Sequence, residues 1–95
     1  MNLKEFTEFL VKSVATNPEY VRVSEFSGEE DSIILEVIVS DKDRSIVIGK
    51  GGRMANAIRT LVQAQAYIKG LKKVKLNIDS FWDTKVSFFY YLFML

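Results

Sequence analysis

The sequence predicts an α+β domain in which a three-stranded sheet carries its helices on one face, in the order helix, strand, strand, helix, helix, strand. Three observations lead there. A helical apolar stripe opens the chain, strict two-residue alternation marks later segments, and a cluster of glycines interrupts a second helical pattern.

The opening stripe is Leu3, Phe6, Leu10 and Val14, widened by Phe9 and Val11, with Lys4, Glu5, Glu8 and Lys12 on the other side. This spacing predicts an amphipathic helix whose phenylalanines enter the core. Pro18 ends it near Ala15 or Thr16, because the residue before proline is pushed out of helical geometry. Tyr20 to Phe26, with Val21 and Val23 alternating against Arg22 and Ser24, reads as a half-exposed strand. Ser27 to Ser32 is a polar turn, and Ile33, Leu35, Val37 and Val39 then form one face of a more central strand. Together they predict a hairpin.

Ser40-Asp41 offers capping oxygens to a short helix over Lys42 to Ile48. Gly49, Gly51 and Gly52 stop that helix, and the pattern resumes at Arg53. In the second helix Ile58, Leu61, Val62, Gln65 and Ile68 trace the expected core side, alanines allow close approach, and Gly70 is placed as the C-cap. Lys72 to Ile78 alternates Val74, Leu76 and Ile78 with lysines, which predicts the third strand.

At 95 residues, 48% apolar and 26% charged, the chain has the size and balance of one small domain. It holds no cysteine and no histidine. Disulfides, the common zinc sites, redox dithiols and imidazole-based catalysis are thereby excluded. No cofactor or metal is expected. No secretion signal opens the chain at Met1-Asn2-Leu3-Lys4-Glu5, so a cytosolic location is expected.

Net charge is only +1, yet the charges are divided along the chain. Residues 1–43 hold four basic and ten acidic groups, a net −6, whereas residues 44–78 hold eight basic groups and no acid. An ordinary solvated helix face mixes signs to gain pairs three and four residues apart. A stretch of thirty-five residues without counter-charge leaves a field suited to an external anion.

The chemistry concentrates at Ile48-Gly49-Lys50-Gly51-Gly52-Arg53, a glycine turn between two helices. Glycines allow positive φ and close approach of another backbone, and free N–H groups at the following helix start point outward with partial positive charge. With Lys50 and Arg53 beside them, these donors suit a phosphodiester chain. A nucleotide P-loop would need Ser or Thr after the lysine, and a dinucleotide fingerprint would need G-x-G-x-x-G after a strand. Both are absent. A purely structural turn stays open as the plainer reading.

Val47-Ile48-Gly49-Lys50-Gly51-Gly52-Arg53-Met54-Ala55-Asn56-Ala57-Ile58 resembles the K-homology (KH) pattern, I-G-x-x-G followed by an apolar-spaced helix. The order from Leu3 to Asp79 resembles the type II KH arrangement, and the Asn17-Pro18 turn and Ala/Ile-rich second helix resemble the small bacterial KhpA (YlqC) family. That resemblance implies non-catalytic binding of single-stranded RNA, with roughly four nucleotides in a groove between the two core helices on one side and the last strand plus the loop between the first two strands on the other. It assigns phosphate contacts to Gly49, Lys50, Gly51, Gly52 and Arg53, and places Ile48, Ala55 and Asn56 on the groove wall. Lys73 and Lys75 read either as flanking the path from the last strand or, equally well, as solvated lysines on a sheet face. It further implies pairing with a second copy or with a KhpB (Jag)-type KH protein, and a role in RNA chaperoning or post-transcriptional control.

Acids at Glu29-Glu30-Asp31 on the groove rim and few aromatics near the loop predict modest affinity, weak sequence preference and strong salt dependence. The KH unit is expected over residues 1–79. Residues 80–95 form an apolar C-terminal extension, Val86 to Leu95 being almost unbroken apolar sequence. Ten such residues are too few for a bilayer, which needs about twenty. The extension reads as an added strand, an interface segment or a disordered tail. It also supports a rival function, a protein-docking or membrane-surface adaptor working through that tail. A phosphate-handling enzyme finds no base or metal cluster beside the loop.

Overall fold

The computed structural model describes residues 1–29, 32–70 and 73–80. It contains α1 (Leu3–Val14), β1 (Arg22–Ser27), β2 (Ser32–Val39), α2 (Asp41–Ile48), α3 (Arg53–Ile68) and β3 (Lys73–Ser80), in the expected order. The type II α+β arrangement is present, with one sheet in the order β1-β2-β3.

α1 starts on a capping box. The Asn2 side chain accepts from the Glu5 N–H at 2.8 Å, and the Glu5 carboxylate accepts from the Asn2 N–H at 3.4 Å, so two orphan donors are satisfied locally. Its buried line is Leu3, Thr7 and Val11, with Phe6, Leu10 and Val14 packed at its margin. Thr7 enters the core because its hydroxyl donates to the Leu3 carbonyl at 2.8 Å. Phe9 departs from expectation. Two residues from Thr7 means 200° around the helix, and Phe9 stands 58% exposed.

Pro18–Tyr20 forms a single 3₁₀ turn, so β1 begins later than the β-branched pattern predicts, at Arg22. β1 pairs antiparallel with β2, Val23 opposite Val37, as the hairpin reading requires. β3 pairs parallel with β2, Leu35 opposite Leu76. Parallel neighbours cannot be joined by a tight turn, and the α2–loop–α3 unit is the crossover connecting them. The glycine loop is therefore placed by the sheet, since both helices are tied to adjacent strands.

Leu35, Val37 and Val39 on β2 are fully buried and meet Val11, Val47 and Val62 from the three helices. α3 enters through small residues, Ala55 and Ala66, together with Ile58 and Val62. Leu61 and Ile68, expected on that side, are 50% and 77% exposed. The alanines explain the difference: the helix rests on its narrow face, which turns the larger residues outward.

Strand β3 runs through Ser80, one residue past the expected end of the KH unit. Residue Lys72, expected to open that strand, and residues 81–95, which carry the extension and the adaptor reading, lie outside the described residues. So do Glu30 and Asp31 of the acidic turn. Among the described residues no helix is long and apolar enough to cross a membrane.

Candidate nucleic-acid interface

The glycine loop closes as one 3₁₀ turn, Lys50–Gly52, in which the Gly52 N–H donates to the Gly49 carbonyl at 3.1 Å. Gly49 has φ 78° and Gly51 φ 64°, values that L side chains rarely adopt. Their surroundings differ. A Cβ on Gly49 would sit 2.8 Å from the Met54 N and Cβ, whereas one on Gly51 would meet nothing within 4 Å. Gly49 is thus demanded by the fold, and Gly51 leaves open space where another backbone can approach. Gly49→Ala is expected to lower unfolding free energy by roughly 1–3 kcal/mol and Gly51→Ala by about 1 kcal/mol, measured by urea titration. Equal losses would contradict this division.

Gly52 is the N-cap of α3, and no side chain caps it. The first turn of α3 contains no acid, so its N–H groups carry their partial positive charge without a counter-ion from their own turn. Lys50 and Arg53 are exposed on either side. Among the described residues the one salt bridge is Lys12–Glu8, far from the loop in sequence, so no described acid pairs with either cation. Such a site offers backbone donors, two exposed cations and an open approach, which suits an anionic chain.

The other expected site residues take different positions. Ile48 is half-buried at the end of α2, and Asn56 is exposed on the second turn of α3. Ala55 is buried at 3% exposure and belongs to the core. It lets α3 pack closely, and a small edge of its surface remains toward the expected groove wall. Lys73 and Lys75 are exposed on β3.

Two residues that matter to the site are not singled out by sequence reasoning. Asp43 is fully buried near the start of α2. Its carboxylate accepts the Thr16 N–H at 2.9 Å, the Asn17 N–H at 2.8 Å and the Thr16 and Ser40 hydroxyls. The Thr16 hydroxyl, opposed by burial and aided by the two backbone N–H groups and Ser40, holds its pKa at about 2 against the usual 3.8. This carboxylate fastens α2, and with it the loop, to the α1–β1 connection. The sequence signal is slight: an acid three residues after an N-cap serine.

Arg59 is the second. Its Nε donates to the Leu76 carbonyl at 3.3 Å and its Nη1 to Asn56 Oδ1 at 3.1 Å, spanning from α3 to β3. Beside it, Gln63 Oε1 accepts the Val74 N–H at 3.2 Å. An open cavity of about 400 Å³ lies there, between α3 and β3.

Comparisons with known proteins show the family. Residues 4–78 match the family described as KhpA/KhpB, KH domain. The "RNA-binding protein KhpA" of Clostridium perfringens is 54% identical over 76 residues, covering 80% of this chain and 99% of that protein. Its namesake in Clostridium acetobutylicum is 46% identical with the same coverage. Among solved structures, Era in complex with MgGDPNP and nucleotides 1506–1542 of 16S ribosomal RNA superposes with a TM-score of 0.62 at 19% identity, over 85% of this chain and 31% of that one. Aquifex aeolicus Era superposes at 0.59, again over 31% of its length. Those two likenesses concern the fold alone. With a family match across nearly all of the described fold and relatives that align from end to end, the chain belongs to the KhpA/KhpB family of KH-domain proteins.

Proposed function

We propose that this protein binds single-stranded RNA without catalysis, holding the phosphodiester backbone at Gly49, Lys50, Gly51, Gly52 and Arg53 while the neighbouring bases lie toward Asn56 and the α3–β3 groove. The observation that carries this reading is the start of α3, where no side chain caps Gly52, beside Lys50 and Arg53, which make no salt bridge among the described residues, with open space at Gly51. The names of the KhpA relatives support it. The RNA-binding unit is residues 1–79 with Ser80, and the protein works in the cytoplasm as an RNA chaperone or post-transcriptional regulator. Pairing with a second copy or a KhpB (Jag)-type protein belongs to the same reading. Met54, Leu61 and Ile68, exposed at helical spacing on α3, support a protein contact there.

Fluorescence anisotropy with a labelled single-stranded oligonucleotide across a salt series tests the phosphate contacts. Log affinity is expected to fall linearly with log salt, with a slope of about −0.7 per phosphate and so about −2 to −3 for three or four contacts. A salt-independent affinity would remove the phosphate backbone from the mechanism.

A further inference from the structure

We propose that the sheet face turned away from the helices is a docking surface, and that its occupant is this chain's own apolar segment, residues 86–95. The surface lies across the sheet from the helices that carry the glycine loop and requires nothing of the RNA reading above.

β2 is apolar from Ile33 to Val39 at every position but Glu36. A strand with one solvated face alternates apolar with polar residues, whereas a strand covered on both faces reads as an almost continuous apolar run. The helices cover the side of Leu35, Val37 and Val39. Successive residues point to opposite faces, so Ile34, Glu36 and Ile38 belong to the other side. Register sets Phe26 of β1 and Lys75 of β3 on either side of Ile34, and Arg22 and Asp79 on either side of Ile38. Ile34 and Ile38 are half-buried and Phe26 is 51% exposed.

The charges beside these apolar groups are turned aside. Arg22 Nη1 donates to the Glu19 and Val21 carbonyls, both at 2.9 Å, and the Asp79 carboxylate accepts the Ser80 N–H at 2.8 Å. Lys75 can lay its methylene stem along Ile34 and keep its ammonium in water. Glu36 alone places a charge between the two isoleucines. An occupant of this face must therefore be mainly apolar and must bring a hydrogen-bond donor to its middle.

Residues 86–95 have that chemistry. They hold no charged side chain, and Ser87, Tyr90 and Tyr91 supply hydroxyls among phenylalanines, leucines, valine and methionine. A tyrosine joins an apolar body to a donor at its tip. The path is short enough. β3 runs parallel to β2 with Asp79 beside Ile38, so the chain leaves the sheet at the Ile38 end. Ile34 lies four residues back along β2, about 13 Å away. Residues 81–85 span up to about 17 Å when extended, enough to bring the segment back across either isoleucine. A five-residue tether also keeps it at an effective concentration that a separate molecule reaches only in the millimolar range, which favours this chain's own segment over a second copy. The relatives described above do not contain the segment: the family match ends at residue 78, and 99% of the Clostridium perfringens protein aligns with only 80% of this chain.

The native sequence has no cysteine, so a single thiol reports on the face without interference. Ile34→Cys and, separately, Phe26→Cys are placed in the full chain and in a chain that also carries Phe89→Ser, Leu92→Ser and Phe93→Ser, which removes apolar surface and leaves the charge unchanged. Phe26 is exposed, so its probe holds even where Ile34→Cys disturbs folding, and circular dichroism checks both. Each thiol is expected to react with a disulfide reagent at least about tenfold more slowly beside the native segment than beside the serine-substituted one, at every protein concentration. Equal rates would overturn the proposal. Protection that fades on dilution would give the face to a second copy, and precipitation of the full chain cured by the three serines would show the segment exposed; either result rejects the assignment.

Discussion

A protein carrying Lys50→Asp and Gly51→Asp together is expected to stay folded and to lose retention of single-stranded RNA at low salt, by a factor of at least about a hundred in affinity. The double change replaces one cation by an anion and adds a second carboxylate. That second carboxylate enters the open space at Gly51, where a Cβ meets nothing within 4 Å. Aspartate tolerates the left-handed conformation better than most residues, so the backbone at φ 64° costs only about 1 kcal/mol. Neither side chain reaches the core: Lys50 and Gly51 are exposed. Electrophoretic mobility shift with a single-stranded oligonucleotide reads the loss, and thermal unfolding reads the fold. Native-like RNA binding by a folded double variant would dismiss the loop as the anchoring point.

Asp43→Ala is expected to be the most damaging polar substitution in the domain, lowering Tm by on the order of 10 °C. Its carboxylate satisfies two backbone N–H groups and two hydroxyls in a position closed to water, and alanine leaves all of these donors without an acceptor. Asp43→Asn separates charge from shape. Its oxygen can still accept from Thr16, but its amide nitrogen then faces the Asn17 N–H, donor against donor. Native stability should also depend on acid in a defined window. The folded pKa of about 2 lies below the ordinary 3.8, so the carboxylate's contribution is complete above about pH 5 and disappears as pH falls toward 2. Urea midpoints taken between pH 5 and pH 2 should therefore fall for the native chain more steeply than for Asp43→Asn. Parallel pH profiles would show that the depressed titration does not belong to this residue. Because the same carboxylate fastens α2 to the α1–β1 connection, Asp43→Asn is also expected to weaken RNA binding although it touches no ligand.

The order of elements and the loop were legible in the sequence because each is written in neighbouring residues. A stripe at 3.6 residues, alternation at two and three glycines in four positions are local properties, and the α2–loop–α3 unit follows from them. Composition along the chain likewise placed the uncompensated positive charge on the segment that builds the site. Chain pairing was not written locally. That β3 lies parallel to β2, that Asp43 reaches Thr16 across 27 residues, and that Arg59 covers the Leu76 carbonyl 17 residues away depend on which surfaces meet when the sheet closes. Packing also decided which apolar residues are inside. Ala55 and Ala66 let α3 settle on its narrow face and left Leu61 and Ile68 in water, although periodicity ranks the larger side chains first. Local sequence determined the glycine loop, whose backbone needs no distant residue to expose its amides. Only the tertiary structure brought a helix side chain onto a strand edge, because the Arg59–Leu76 hydrogen bond joins two elements that come together only when the sheet and helices pack.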